Sequence, residues 1–201
     1  MTGKTIFATI NKLILASASP RRKKMLAELG LDFEVMPAEV DEEPQPAEQP
    51  ENFVHRVALE KTVAVGAAYP HAWVLGADTI VVLKGDILGK PTDEQDALEM
   101  LMRLSGRMHR VYTGFSLRRQ QDNICVSRIV ATEVYFSAFS AKTAKAYVAT
   151  GEPLDKAGAY GIQGRGGALV EKITGSCSNV VGLPLAETIA ELLQHGVIEP
   201  Q

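Results

Sequence analysis

Short apolar runs alternate with segments of helical periodicity along the first half of the chain. Residues 12–17, KLILAS, form an apolar run with the length of a buried strand. A helix is predicted directly after this run, because Ser19 can cap its N-terminus, Pro20 suits the first helical position and Gly30 can end it. The chain is therefore expected to open with a strand followed by a helix.

A second apolar run, WVLGADTIVVL at residues 73–83, predicts a strand that is buried on both faces, with a turn at 84–86 into a short partner strand. Residues 108–118 and 124–137 are rich in β-branched and aromatic side chains and predict a hairpin. Further helices are predicted at 52–68 with Asn52 as the cap, at 92–104 with Thr92 and Gln95 as a capping box, at 140–149 and at 184–195. These elements predict a mixed α/β fold, because the alternating helices and strands are joined by an antiparallel portion.

Two segments show neither the apolar spacing of a helix nor the apolar run of a strand. Residues 37–52 contain four prolines and six acidic side chains, which predict a surface loop. Residues 151–167 contain six glycines, which allow the backbone to approach a ligand closely, and Tyr160 and Gln163 could contact a planar base. The alternative for this second segment is a flexible loop without a ligand.

The composition is that of an ordinary globular protein. Of 201 residues, 46% are hydrophobic, and 21 Lys plus Arg against 24 Asp plus Glu leave a net charge of -3. This charge argues against a broad nucleic-acid-binding face, which needs clustered basic residues. Cys125 and Cys177 lack the spacing of a zinc site, and no run approaches the ~20 apolar residues of a membrane helix. We expect a single cytoplasmic domain with neither nucleic acid nor membrane as a partner.

The segment ASASPRRKK, residues 16–24, is the first candidate for binding chemistry. Arg21 and Arg22 fall in the first turn of the predicted helix, where unpaired N–H groups and the positive dipole end favour anions. Ser17 and Ser19 add hydroxyl donors for phosphate oxygens. The alternative is that the serines only cap the helix and the basic side chains are solvated.

Carboxylates are the second candidates. Asp78 lies in the middle of an apolar strand, where an unpaired charge would be costly, so a cation, a cleft or backbone amides must compensate for it. Glu39, Asp41, Glu42 and Glu43 in the proline-rich loop are oxygen ligands suited to Mg²⁺ or Mn²⁺. Acidic loops of this kind are more often simply solvated.

Many of these residues belong to an ordered set of motifs. From the N-terminus these are LILASASPRRKKML, VDE at 40–42, ALEK at 58–61, GADTIV at 76–81, GKP at 89–91, LSG with His109, GEPLDKAGAYGIQG and NVVGLPL. The set resembles the Maf family of nucleoside triphosphate pyrophosphatases from Leu13 to about Leu193. The resemblance implies one domain at 13–201 preceded by an N-terminal extension at 1–12.

The resemblance further implies an ITPase-like mixed sheet with flanking helices, two lobes around a deep nucleotide cleft, and a homodimer. It implies hydrolysis of the α–β phosphoanhydride of a nucleoside triphosphate to the monophosphate and pyrophosphate, with Mg²⁺ or Mn²⁺ as the cofactor. We hypothesise that Glu42 and Asp78 hold this cation. The implied roles are proton acceptance by Asp78, phosphate binding by Ser17, Arg21 and Arg22, and completion of the catalytic pocket by Glu42, Lys61 and Lys90.

Three positions distinguish the family's subgroups. Arg21, Thr79 and Gln163 resemble the subgroup that prefers dTTP and UTP, with modified pyrimidine triphosphates as further candidate substrates. The subgroup that prefers 7-methyl-GTP would carry Trp, Gln and Glu at these positions. Cys177 departs from relatives, which often have an aromatic residue there in a GSYSN-like segment.

Two other functions are kept as alternatives. The first is a non-catalytic nucleotide-binding regulator of cell division and septum formation, and the second is a purine pyrophosphatase of the inosine-triphosphate type. The carboxylates and lysines that accompany the phosphate-binding residues argue against binding alone, which does not require them.

Overall fold

The computed structural model describes residues 5–201, so residues 1–4 of the predicted extension lie outside the described part of the chain. The β-strands are β1 Phe7–Thr9, β2 Leu13–Leu15, β3 Glu34–Val35, β4 Trp73–Leu83, β5 Asp86–Leu88, β6 Met108–Arg119, β7 Ile124–Phe136, β8 Val170–Thr174 and β9 Ile198–Pro200. The α-helices are α1 Pro20–Glu28, α2 Pro50–Ala68, α3 Glu94–Leu104, α4 Ala141–Val148, α5 Cys177–Val181 and α6 Leu185–Gln194. Among the described residues, each helix is too short or too polar to cross a membrane.

The main sheet within residues 5–201 has the strand order β3-β2-β4-β6-β7-β8, and β5 pairs with β4. Strand β2 lies parallel to β3 and β4, whereas β5 lies antiparallel to β4 and β8 antiparallel to β7. Strands β6 and β7 are neighbours joined by a short turn at 120–123. The prediction of a mixed α/β fold with an antiparallel hairpin is therefore confirmed.

The chain divides into two compact units. The first unit comprises the described residues up to Asp78 together with Thr113–Ile129 and Gly182–Gln201. The second unit comprises Thr79–Tyr112 and Val130–Val181. Strands β4, β6 and β7 contribute residues to both units, and the boundary in β4 falls between Asp78 and Thr79.

The start of the first unit follows the sequence prediction. The Ser19 side chain accepts a hydrogen bond from the backbone N–H of Arg22, and Pro20 occupies the first turn of α1. Gly30 has a φ of 80°, a left-handed conformation that glycine adopts at low cost after a helix. Residues 7–9 of the predicted extension form β1, which pairs with β9 near the C-terminus.

Two predicted helix starts are wrong. Helix α2 begins at Pro50 rather than after Asn52, and Gln49 occupies the N-cap position. Helix α3 is capped by Asp93, whose Oδ1 accepts a hydrogen bond from Asp96 N at 2.8 Å, rather than by Thr92. A carboxylate is both a strong acceptor and favoured by the helix dipole, so it displaces the neighbouring threonine as the cap.

The second unit has an apolar core formed by the end of β4, helices α3 and α4, and the segment around Tyr160. Residues 151–167 contain three short 3₁₀ helices, at Glu152–Asp155, Ala157–Ala159 and Arg165–Leu169. Ala159 and Tyr160 are buried within this segment. The glycine-rich segment is thus folded against the core rather than extended away from it.

Candidate active site

The N-terminus of α1 presents a buried arginine beside a buried serine. The Arg22 side chain donates from Nη1 to Ser17 Oγ at 2.9 Å and from Nε to the Gly182 carbonyl at 2.7 Å. The backbone N–H of Ser19 also donates to Ser17 Oγ, at 3.2 Å. Ser17 and Arg22 are only 6% and 7% exposed, whereas Arg21 is half-buried. The structure therefore brings the three predicted phosphate-binding residues to one helix end.

Arg22 lies within electrostatic reach of the predicted catalytic carboxylates. Burial lowers the pKa of Arg22, the negative charges of Asp78 and Glu42 oppose this effect, and the neighbouring Arg21 adds to it. The net pKa lies below the ordinary arginine value, yet an arginine stays protonated at neutral pH. A buried permanent cation at a helix N-terminus is suited to binding a phosphate.

Lys61, on α2, is buried between two carboxylates. Its Nζ lies 2.6 Å from Glu42 Oε1 and 3.0 Å from Asp78 Oδ1, and it donates to the Ala77 carbonyl at 3.2 Å. Lys61 and Asp78 are 4% and 8% exposed, while the Glu42 side chain is about half exposed. A buried charge pair of this kind needs such complete hydrogen bonding to offset its desolvation. The structure thus joins three of the four predicted catalytic residues.

Glycines in two strands allow α2 to lie close enough for this arrangement. A Cβ at Gly76 of β4 would lie 2.6 Å from the Ala58 carbonyl oxygen and 3.1 Å from Lys61 Cβ. A Cβ at Gly114 of β6 would lie 2.4 Å from the Val54 carbonyl oxygen. Side chains at either position would therefore push the helix, and Lys61 with it, away from the strand that carries Asp78.

The loop that carries Glu42 is held by Arg56 of α2. Arg56 pairs with Glu48 through Nε–Oε1 at 2.8 Å and Nη2–Oε2 at 2.9 Å, a bidentate arrangement. It also donates to the carbonyls of Asp41 at 3.5 Å and Glu43 at 3.0 Å, on either side of Glu42. The hydrogen bonds to Glu48 raise the pKa of Arg56. The acidic loop is therefore tied to α2 rather than simply solvated.

Glu42 and Asp78 are the carboxylates that could hold a divalent cation. Within residues 5–201 no three His, Cys, Asp or Glu side chains are grouped to hold a metal ion by themselves. Both carboxylates nevertheless converge on one cation, the Lys61 ammonium group. Magnesium is commonly held by one or two carboxylates together with water and substrate phosphates, so this donor pair fits such a cation.

The remaining predicted residues lie in the second unit. Thr79 follows Asp78 directly in β4 and is half-buried. Lys90 is exposed two residues after β5, and Gln163 is exposed in the turn that precedes the last 3₁₀ helix.

Sequence reasoning missed several residues that support the site. Gly76 and Gly114 are isolated glycines in strands, a pattern that indicates close backbone approach. Gly182, whose carbonyl accepts from Arg22, has a φ of 127° that side-chain-bearing residues rarely adopt. Arg56 gave no local signal, because its partners lie 8 to 15 residues away in an irregular loop. The partner of His109 gave no signal in the sequence either: the side chain is buried and its Nε2 lies 2.8 Å from the Tyr160 hydroxyl.

Comparison with known families assigns the chain to the Maf-like class. The family model described as "Maf-like protein" matches residues 12–195, and this chain belongs to that family.

Three relatives show the nature of the similarity. A protein of Desulfotalea psychrophila named "dTTP/UTP pyrophosphatase" is 56% identical, over 92% of this chain and 95% of its own length. Proteins with the same name from Myxococcus xanthus and Geobacter sulfurreducens are 51% and 46% identical, over 94% and 93% of this chain and 94% and 98% of their own lengths. Among solved structures, a HAM1 protein from Coxiella burnetii matches with a TM-score of 0.45 at 12% identity, covering 92% of this chain and 100% of that one.

Proposed function

We propose that this protein is a hydrolase that cleaves dTTP and UTP to the nucleoside monophosphate and pyrophosphate. The observation that carries the proposal is the buried Lys61, held between Asp78 and Glu42 within electrostatic reach of Arg22. A site for binding phosphate alone has no need of two carboxylates, because carboxylates repel a polyphosphate unless a cation neutralises them. The shared name of the relatives supports the same reaction.

The basic side chains of the site offset the negative charge of the triphosphate. Arg21 and Arg22 offer guanidinium N–H groups suited to paired phosphate oxygens, and Ser17 adds a hydroxyl. Lys61 and Lys90 supply point charges that stabilise the negative charge developing on pyrophosphate as it departs. Because Arg22 and Lys61 are buried, their orientation is set before substrate binds, and little reorganisation accompanies the reaction.

Asp78 is the proton acceptor in this mechanism. Its carboxylate orients the attacking water and takes a proton from it as the oxygen approaches the α-phosphorus, in line with the departing pyrophosphate. Lys61 fixes the Asp78 carboxylate through the 3.0 Å contact to Oδ1. A positioned acid or base of this kind contributes roughly 10²–10⁴-fold in rate.

A divalent cation, Mg²⁺ or Mn²⁺, is part of the proposal. Glu42 and Asp78 are the residues that would hold it. When bound, such a cation supplies positive charge that polarises the phosphoryl oxygens. Arg56 contributes by keeping the Glu42 backbone in place from both sides.

We assign recognition of the nucleotide base to Thr79 and Gln163. The Gln163 side-chain amide offers one acceptor and two donors, which match the imide edge of uracil or thymine. Thr79 adds a hydroxyl or limits the space for the base. The homodimer, the cytoplasmic location and the single domain at 13–201 stay predictions, and light scattering on the purified protein checks the first of them.

One assay tests the function. The purified protein is incubated with dTTP, UTP, CTP, GTP, ITP and 7-methyl-GTP, each with Mg²⁺, with Mn²⁺ or with chelator, and pyrophosphate is measured. We expect release from dTTP and UTP that depends on the cation. Preference for ITP would favour the purine alternative, and nucleotide binding without pyrophosphate release would favour the non-catalytic regulator.

A substitution of Gln163 tests its assigned contact with the nucleotide base. Gln163→Glu should reduce kcat/KM for UTP far more than for GTP, because a carboxylate loses the donors that the imide oxygens need. An equal loss on both nucleotides would show that Gln163 does not contact the base.

A further inference from the structure

The turn that carries Gln163 is bound on both sides by two side chains of the preceding segment. Glu152 accepts hydrogen bonds from the backbone N–H of Arg165 at 3.0 Å and of Gly166 at 3.1 Å, through Oε2 and Oε1. Tyr147 of α4 donates its hydroxyl to Glu152 Oε1 at 2.9 Å and accepts from the N–H of Gly161 at 3.1 Å. Gln163 therefore lies between two anchored ends of one turn.

The glycines of the turn fit these two side chains closely. A Cβ at Gly164 would lie 2.3 Å from Glu152 Oε1, and a Cβ at Gly166 would lie 2.4 Å from the Tyr147 hydroxyl oxygen. At these distances an added Cβ would displace the carboxylate or the phenol from its hydrogen bonds, so the observed approach of the backbone depends on glycine at both positions. In this turn the many glycines therefore allow close contacts within the chain, between the backbone of the turn and the side chains of Glu152 and Tyr147.

The electrostatics of Glu152 agree with this geometry. Burial raises the pKa of Glu152, but the N–H groups of Arg165 and Gly166 and the Tyr147 hydroxyl outweigh it, and the net pKa lies below the ordinary value. Lys156 also donates to the Glu152 carbonyl at 2.6 Å. At neutral pH the group holding the turn is a carboxylate, the stronger acceptor of backbone N–H groups.

We propose that Glu152 and Tyr147 are positioning residues for base selection, which fix the turn at 161–166 and so hold Gln163 in one orientation. The inference rests on the proposed function of Gln163. A glycine-rich turn without such anchors samples many backbone conformations, and an exposed glutamine on it could not discriminate between bases. Discrimination needs a donor and acceptor pair held in place before the substrate arrives.

The first test measures the turn without using activity. In Glu152→Gln and in Tyr147→Phe we expect amide hydrogen exchange in the peptide covering residues 161–167 to rise about tenfold, the effect of losing one hydrogen bond. Trypsin cleavage after Arg165 should accelerate by a similar factor. Glu171→Gln, at an exposed position in β8, removes the same charge and should change neither rate. Tyr147→Phe keeps the buried ring, so it reports on the hydroxyl even where the Glu152 variant folds poorly.

The second test links the turn to selectivity. Both variants should lower the ratio of kcat/KM for UTP to that for GTP by about tenfold, with a smaller change in kcat for UTP. In a Gln163→Ala background the same substitutions should leave this ratio unchanged, because they act through Gln163.

The outcomes separate this inference from the function on which it rests. Unchanged exchange and cleavage in both variants would overturn the anchoring. Faster exchange with an unchanged UTP to GTP ratio would overturn the link to base selection. A wild-type protein without pyrimidine turnover would refute the proposed function, and the exchange data would still decide whether the turn is anchored.

Discussion

In the first unit charged side chains are held by other charged side chains, whereas in the second unit a glycine-rich backbone is held by one carboxylate and one phenol. Lys61 is 4% exposed and touches two carboxylates, so loss of one partner leaves a buried charge. Gln163 is exposed, and its turn is held through backbone N–H groups. The difference predicts that changes in the first unit abolish turnover and changes in the turn alter selectivity.

The reason for the difference is desolvation. A buried ion pair gains strength from its low-dielectric surroundings, but removal of one member costs several kcal/mol. A hydrogen bond to an exposed loop contributes only about 1 kcal/mol, because water replaces it when it breaks. Substitutions of buried charged side chains are therefore expected to have large effects on turnover. Substitutions of side chains that bind the backbone of the turn are expected to have smaller effects.

The largest effect is expected from Asp78→Asn. The amide cannot accept a proton from the attacking water, so turnover of UTP should fall roughly 10³-fold while circular dichroism stays native. Asp86→Asn, at a carboxylate that is 69% exposed in a surface ion pair, is the matched control and should keep its activity. An Asp78→Asn protein with more than about a tenth of wild-type turnover would remove Asp78 from its role.

Gly76→Ala tests whether helix packing sets the charge cluster. The added methyl group would meet the Ala58 carbonyl and crowd Lys61, so we expect a loss of about 1–3 kcal/mol in unfolding free energy, with turnover reduced about tenfold. Urea unfolding and pyrophosphate release measure the two effects. The control is Gly66→Ala on α2, where the added Cβ would have its nearest neighbour, Arg118 Cδ, at 3.8 Å; this variant should be neutral or stabilising. Equal behaviour of the two variants would contradict the packing argument.

His109 provides a pH-dependent test of the second unit. Burial lowers the pKa of His109 to about 4, below its ordinary value of 6.5, so the folded protein disfavours the protonated form. Stability contributed by neutral His109 is complete above pH 6.5 and is lost as the pH falls towards 4. This loss amounts to about 2 kcal/mol by about pH 5.

The control for this prediction is His109→Gln, which cannot titrate. Its urea midpoint should be lower at neutral pH, since the ring contact with Phe136 is lost, but should fall less between pH 6.5 and 5 than that of the wild type. Parallel curves for the two proteins would show that His109 does not carry the pH dependence.

The smallest effect is expected from Arg56→Lys, which replaces a planar guanidinium group that donates several hydrogen bonds with a single ammonium group. Glu48 and the carbonyls on either side of Glu42 lose part of their hydrogen bonding, so kcat/KM for UTP should fall about fivefold. The double variant with Glu42→Gln reports on mechanism. If Arg56 acts through Glu42, the second substitution adds little to the first, whereas additive losses would contradict that link.

Local signals predicted most of the elements correctly. The strand at Leu13–Leu15, the capping of α1 by Ser19 and the hairpin of β6 and β7 follow from neighbouring residues in the chain, where propensity and capping act. The errors at the starts of α2 and α3 are shifts of a few residues: α2 begins at Pro50 without a side-chain cap, and Asp93 rather than its neighbour Thr92 caps α3.

The chemistry of the site was visible in the sequence, but its pairing was not. An aspartate inside an apolar strand requires a compensating group, and physics alone could not say whether it was a metal, a lysine or an amide. Lys61 is the partner, 17 residues away on α2, because Gly76 lets that helix pack directly against β4. The same holds for the glycine-rich segment, because no pattern in the sequence predicted that Glu152 and Tyr147 bind its turn.

The sequence by itself determined the type of most of the longer elements, the fold class and, through its ordered motifs, the family. These depend on short-range preferences and on motifs that follow one another in a fixed order along the chain. Only the tertiary structure decided that Lys61 joins Asp78 to Glu42, that Arg56 holds the Glu42 loop, and that Glu152 anchors the turn of Gln163. Such contacts arise when packing brings distant segments within hydrogen-bonding distance, and no spacing along the chain encodes them.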